Sequence, residues 1–278
     1  MADCERFEQG QFSWVDLGTP DLKASKSFYT QLFGWRYDDQ SLGSQPYAMA
    51  KLGVARGDCA VAGIYTLGDP AGANRPQWTS YVTVDNVDET TKRIASSGGR
   101  VLKEPHDIYD AGRTALVEDP AGGVFALWTP KKNIGAGIVG EPGALTWNEL
   151  VAPDIEKATA FYSRAIGWKS KSPELGKAFS EYTMLTRDGS KETSSAGIMS
   201  MGPRPAFSAQ WLAYFGVADC DASARNAHQL GGRVLHAPTD VQRVGRFSII
   251  QDPHGATFAL LQSSMPTPGQ LKGTKAAS

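Results

Sequence analysis

The sequence of 278 residues has little cysteine and little histidine: three Cys (Cys4, Cys59, Cys220) and four His (His106, His228, His236, His254). Three isolated cysteines form neither a disulfide framework nor a CxxC metal knuckle, and they predict a reduced, cytoplasmic protein. No run of about 18 apolar residues occurs, the length a membrane-crossing helix needs, so no membrane partner is expected. The opening MADCERFEQGQF lacks the apolar core of a signal peptide. An excess of one charge is also missing. Lys and Arg number 28 against 29 Asp and Glu, a net charge of −1, which argues against a nucleic-acid binder with its clustered cations. With 41% hydrophobic and 21% charged residues the chain is not mostly disordered. Its length suits two domains.

What the sequence does contain is an internal repeat. Trp14, Leu17, Pro20, Asp21, Phe28, Tyr29, Gly34 and Trp35 recur as Trp147, Leu150, Pro153, Asp154, Phe161, Tyr162, Gly167 and Trp168, each pair 133 positions apart. The same offset carries Trp78 to Trp211, Tyr81 to Tyr214, Gly112-Arg113 to Gly245-Arg246 and Asp119-Pro120 to Asp252-Pro253. In the middle of each half the register slips to 135, where Tyr47 and Met49 match Tyr182 and Met184. A register held over more than 100 residues is a tandem duplication.

Each half reads as strand, helix and strands, twice over. A strand at 12–18 or 144–151 turns at Thr-Pro-Asp or Ala-Pro-Asp into a helix at 21–33 or 154–166. The carboxylates of Asp21 and Asp154 complement the helix dipole, and Gly34 and Gly167 stop the helices. The plan then recurs with strands at 79–84 and 212–217, helices at 87–97 and 220–230, and strands at 100–104, 113–118, 123–129, 233–236, 245–251 and 256–262. The fold class is α+β: four βαβββ modules making two domains, residues 10–130 and 144–263. Residues 131–143 form a Gly- and Pro-bearing linker, and 264–278 a flexible tail.

The helix ends FYTQLFGW and FYSRAIGW, with the hairpins DPAGGVFALW and DPHGATFALL, resemble the vicinal oxygen chelate superfamily. That superfamily includes glyoxalase I, extradiol dioxygenases, fosfomycin-resistance transferases and bleomycin-binding proteins. The resemblance covers about residues 10–130 and 141–263 and is greatest to tandem two-domain members. It implies cupped mixed sheets around a ligand cavity, and in metal-dependent members a divalent ion held by side chains from the first strand of each module and from the last strand. Carried onto this sequence, those stations fall on Trp14 and Trp147, on Thr79 and Leu212, on Ala126 and Ala259, and near Gly63 and Gly197. None is a metal-binding residue. The histidines do not supply a replacement: His228 falls on a helix, His254 at a turn tip, and His106 and His236 in loops beside prolines. No metal or other cofactor is expected.

The residues left to line a cavity are aromatic and acidic. Residues two apart on a strand share a face, so Trp14 directs Asp16 inward, and Trp147 directs Glu149. Thr79, Tyr81, Trp128, Leu212 and Tyr214 point the same way. Each feature has two readings. Trp14 and Trp147 either stack on a ligand or plug the core. Asp16 and Glu149 either act as general acid or base from an apolar pocket or pair with backbone or with Arg113 and Arg246. Those arginines either clamp an anionic group or tie a hairpin to the sheet.

Three functions follow from these readings. The first is a metal-independent protein that sequesters an organic metabolite or antibiotic in an aromatic-lined cavity, or acts on it by acid–base chemistry. The second is a glyoxalase- or dioxygenase-type metal enzyme with relocated ligands. The third is a non-catalytic interaction protein with filled cavities. The expected partner is a small organic molecule, and the expected state is a monomer with an internal pseudo-dimer, or a homodimer.

Overall fold

In the computed structural model, residues 6–42, 45–55, 57–68, 75–171, 182–189, 194–200 and 209–264 are described. They form four helices and two eight-stranded sheets. The first module runs β1 (Phe12–Thr19), α1 (Leu22–Phe33), β2 (Arg36–Leu42), β3 (Gln45–Val54) and β4 (Gly57–Thr66). The second is β5 (Gln77–Thr83), α2 (Val87–Ser96), β6 (Arg100–Ile108), β7 (Gly112–Glu118) and β8 (Val124–Pro130). The second half repeats the plan as β9 (Leu145–Ala152), α3 (Ile155–Ala165), β10 (Lys169–Lys171), β11 (Tyr182–Thr186) and β12 (Ser194–Ser200). Its last module is β13 (Gln210–Gly216), α4 (Cys220–Gln229), β14 (Arg233–Val241), β15 (Gly245–Gln251) and β16 (Thr257–Ser263). Both sheets have one order, β2-β3-β4-β1-β5-β8-β7-β6 and β10-β11-β12-β9-β13-β16-β15-β14. Two modules therefore share each sheet through the antiparallel pair at its centre, β1 with β5 and β9 with β13. The expected α+β duplication is present. The expected tail lies, but for Ser264, outside the described residues, as does Cys4. Among the described residues no helix is long and apolar enough to cross a membrane.

Local chemistry sets the helix ends. Asp21 and Asp154 stand one position before α1 and α3 as N-caps, their carboxylates accepting from the backbone N–H of Ala24 and Lys157, each at 2.9 Å. Gly34 closes α1 at φ 74°, a left-handed conformation that suits glycine. β6 and β14 extend further than the sequence suggests. Pro105 and Pro238 read as strand ends, yet both strands continue past them through register shifts. These are edge strands, where a proline costs no ladder bond, so His106 and His236 lie on strands and not in loops.

The helix-side faces of the two sheets and their helices share one core. Tyr29 of α1 packs against Phe258 (5.7 Å between ring centroids) and Phe33 against Phe215 (5.2 Å), while Phe125 meets Tyr162 (5.6 Å) and Phe12 meets Trp168 (5.8 Å). Reciprocal hydrogen bonds tie the halves. The Tyr29 hydroxyl donates to Asp252 at 2.9 Å, and the Tyr162 hydroxyl to Asp119 at 2.8 Å. The Trp35 indole donates to the Gly143 carbonyl at 2.7 Å, and Trp168 to that of Gly10 at 2.9 Å. The linker is not slack. Ala136 and Ile138 are buried, and the N–H groups of Ala136 and Gly137 donate to Ser13 of β1 and Ala60 of β4. It thus fills the opening between those two strands where they do not pair.

Candidate functional site

Alternation along the central strands sends Val15, Leu17, Trp78 and Phe125 into the shared core and Trp14, Asp16, Thr79, Tyr81, Ala126 and Trp128 to the opposite, cup face. There Asp16 is the focus. It is buried, and its carboxylate accepts from the Trp14 indole at 2.7 Å, the Tyr47 hydroxyl at 2.7 Å and the Tyr81 hydroxyl at 2.8 Å. Burial raises its pKa and the three donors oppose that rise. Burial and the neighbouring carboxylate push both tyrosines well above their ordinary value, so the phenols stay protonated as donors.

The second half builds the same constellation with different surroundings. Glu149 is buried, accepts from the Tyr214 hydroxyl at 2.9 Å and is hydrogen-bonded by Tyr182. The Trp147 indole donates to the Tyr182 hydroxyl at 3.2 Å. Around Glu149, Leu212, Tyr214 and Ala259 form an apolar cluster with Trp147, Phe247, Ile249 and Leu261. Thr79, Thr114 and Trp128 hold the corresponding places of Leu212, Phe247 and Leu261 in the first half, so the second cup is the more apolar. Burial accordingly pushes the Glu149 carboxyl up to about 7, with the two phenols acting against it.

Tyr47 and Tyr182 belong to these clusters, although sequence reasoning did not place them there. Their signal was the repeat itself, slipped by two positions because they arrive from β3 and β11. Gly63 and Gly197 make room for them: a methyl group at either position would overlap the tyrosine hydroxyl, and at Gly63 also the Asp16 carboxylate. The arginines do not join the cups, nor do they pair with Asp16 or Glu149. Arg113 alternates with Thr114, and its side chain grips Asp88 of α2 through two bonds (2.6 and 2.8 Å) and also meets Asp107. Arg246 does the same with Asp221 of α4 (2.6 and 3.0 Å) and Asp240. Each ties its hairpin to a helix. The Trp128 indole is committed to the Asn133 carbonyl at 3.0 Å.

The model of the Glyoxalase/Bleomycin resistance protein/Dioxygenase superfamily matches residues 11–127 and again 144–260. The chain belongs to this superfamily. It is 40% identical over 274 residues to the "Putative glyoxylase CFP32" of Mycobacterium tuberculosis, covering 97% of this chain and 100% of that one. It is 35% identical over 266 residues to the anthracycline biosynthesis protein DnrV of Streptomyces peucetius, covering 92% and 94%. The 2,3-dioxygenase LapB of Pseudomonas sp. KL28 shares the fold at a TM-score of 0.61 and 15% identity, covering 94% of this chain and 96% of that one.

Members of the superfamily that use a metal hold it on the cup face, so the residues there decide whether one fits. The stations do converge, since Asp16 lies opposite both Gly63 and Thr79, and Tyr81 opposite Ala126. Their chemistry is wrong for a cation. An indole N–H is a donor only, Gly and Ala offer no side-chain ligand, and the Asp16 oxygens already accept from three groups. Among the described residues no three His, Cys, Asp or Glu are grouped to hold a metal. Among the described residues, the side chains at these stations do not fit a resident divalent ion.

Proposed function

We propose that this chain binds a small organic molecule with a substituted aromatic or polycyclic ring in its cups, and acts there by sequestration or by acid–base chemistry that needs no metal. The observation that carries the reading is the placement of Glu149: a buried carboxyl among apolar side chains that faces two protonated phenols, where burial pushes its pKa up to about 7. A general acid or base works best when its pKa lies near the operating pH. Glu149 can accept a proton from an acidic C–H or O–H of the ligand, and once it is neutral the Tyr182 and Tyr214 hydroxyls are released to turn from it to the ligand oxygen on which charge develops. The stacking faces of Trp14, Trp147 and Tyr214 suit a planar ring. The similarity to DnrV, named for anthracycline biosynthesis, makes a fused-ring polyketide the first ligand to test. The shared core supports a monomer whose halves serve as a built-in pair.

The test is a tryptophan-fluorescence titration of chelator-treated protein with an anthracycline, with and without added Mn²⁺. Quenching that saturates without metal, and weakens at least tenfold in Trp147→Leu, is expected. Binding that appears only with the metal would overturn the reading. The burial of Trp14, Leu212 and Tyr214 favours a second reading, in which the cups are closed by their own side chains. Absence of any quenching, with a correctly folded protein, would select it.

A further inference from the structure

A cavity of about 690 Å³ opens away from both cups, where the Asp-Pro-Ala-Gly turn of the first half meets α3 of the second. That volume is within the range of small-molecule pockets. Its apolar surface comes from Pro120, Ala121, Pro153 and Ala160 above the buried Phe161, and the exposed Lys157 and Arg164 stand on its α3 side with the Asp154 carboxylate. Asp119 also reaches it, but its carboxylate is turned inward, accepting from the N–H groups of Ala121 and Gly123 and from the Tyr162 hydroxyl. Lys157 is paired with Asp154 at 3.2 Å. Arg164, in the last turn of α3, makes no ion pair or hydrogen bond among the described residues, which leaves one unpaired cation beside the apolar hollow.

The duplication supplies an internal comparison. At the corresponding place of the other half, Ala121 is replaced by His254, a half-buried ring whose Nε2 is enclosed without a partner. Lys157 and Arg164 are replaced by Ala24 and Gln31. Three substitutions at one location have thus left one copy with a small residue and two cations, and the other with an imidazole and no cation.

We propose that this groove is a second binding site, separate from the cups, for a small organic carboxylate whose ring or chain lies on Pro120, Ala121 and Pro153 while its anionic head meets Arg164. The pairing is one of charge complementarity at the rim and apolar burial at the floor.

The probe is 2-naphthoate, titrated calorimetrically against the full chain, with the uncharged 2-naphthalenemethanol as comparison. One site per chain is expected, at least tenfold weaker for the alcohol. Ala121→His, which installs the residue the other half already tolerates, should weaken naphthoate at least tenfold, and Arg164→Gln about tenfold. The reverse transplant, His254→Ala with Ala24→Lys and Gln31→Arg, should raise the stoichiometry from one to two. Naphthoate affinity unchanged in both Ala121→His and Arg164→Gln would overturn the proposal, as would a lack of binding by the wild-type chain. So would an Ala121→His variant whose only change is its sedimentation, since the groove would then be a contact between copies of the chain.

Discussion

At the scale of single residues, Glu149 has the clearest thermodynamic signature. Its carboxyl ordinarily titrates near 4.5 and is pushed up to about 7 by burial. The folded protein therefore holds this proton more tightly than the unfolded chain does. The stabilising contribution is complete below about pH 4.5 and is lost as pH rises through about 7, an amount on the order of 3 kcal/mol. Urea denaturation of Glu149→Gln beside the wild type at pH 5 and pH 8.5 should show the variant gaining on the wild type at the higher pH. A constant difference would refute the assignment. Gly63 makes the second residue-scale case. Its missing side chain is what admits the Tyr47 hydroxyl to Asp16, so Gly63→Ala should cost about 1–3 kcal/mol in the same measurement. Sequence alone showed part of this site. Period-two alternation placed Asp16 beside Trp14 and Glu149 beside Trp147, because both members of each pair sit on one strand. It could not bring in Tyr47 or Tyr182, whose strands reach the site only through the register of the sheet.

At the scale of elements, the helices depend on short polar caps, and this was the most readable part of the chain. Asp21 is exposed enough that its bond to the Ala24 N–H accounts for most of its contribution. Asp21→Ala should lower stability by about 1 kcal/mol, while Asp21→Asn, which keeps the acceptor, should be nearly neutral. Denaturation midpoints at constant slope would check both. Elements whose role depends on partners distant in sequence were less legible. Arg113 follows a glycine in a hairpin, and nothing local shows that its guanidinium turns toward α2 to hold Asp88. The edge strands β6 and β14 hid for a related reason: a proline reads as a terminator unless the strand is known to lie at the rim of its sheet, and that is a property of the assembled topology.

At the scale of the whole molecule, the repeat predicts two domains, but the structure joins them more closely than a linker between separate units would. Each half places its first helix against the other half's Asp-Pro turn. The Tyr29 hydroxyl meets Asp252, the Tyr162 hydroxyl meets Asp119, and the Trp78 and Trp211 indoles donate to those same tyrosines at 3.1 and 2.9 Å. Separating the halves would expose the aromatic core and leave two buried carboxylates without their phenol donors. Chemical unfolding should therefore be one cooperative transition, with tryptophan fluorescence and far-ultraviolet circular dichroism coincident. Tyr29→Phe and Tyr162→Phe should each cost about 1–3 kcal/mol, because each removes a donor from a buried carboxylate and an acceptor from a buried indole. The two positions lie in separate networks, so the double variant should lose close to the sum. Two resolved transitions, or a double variant no less stable than either single one, would mean that the halves fold independently and that the shared core contributes little.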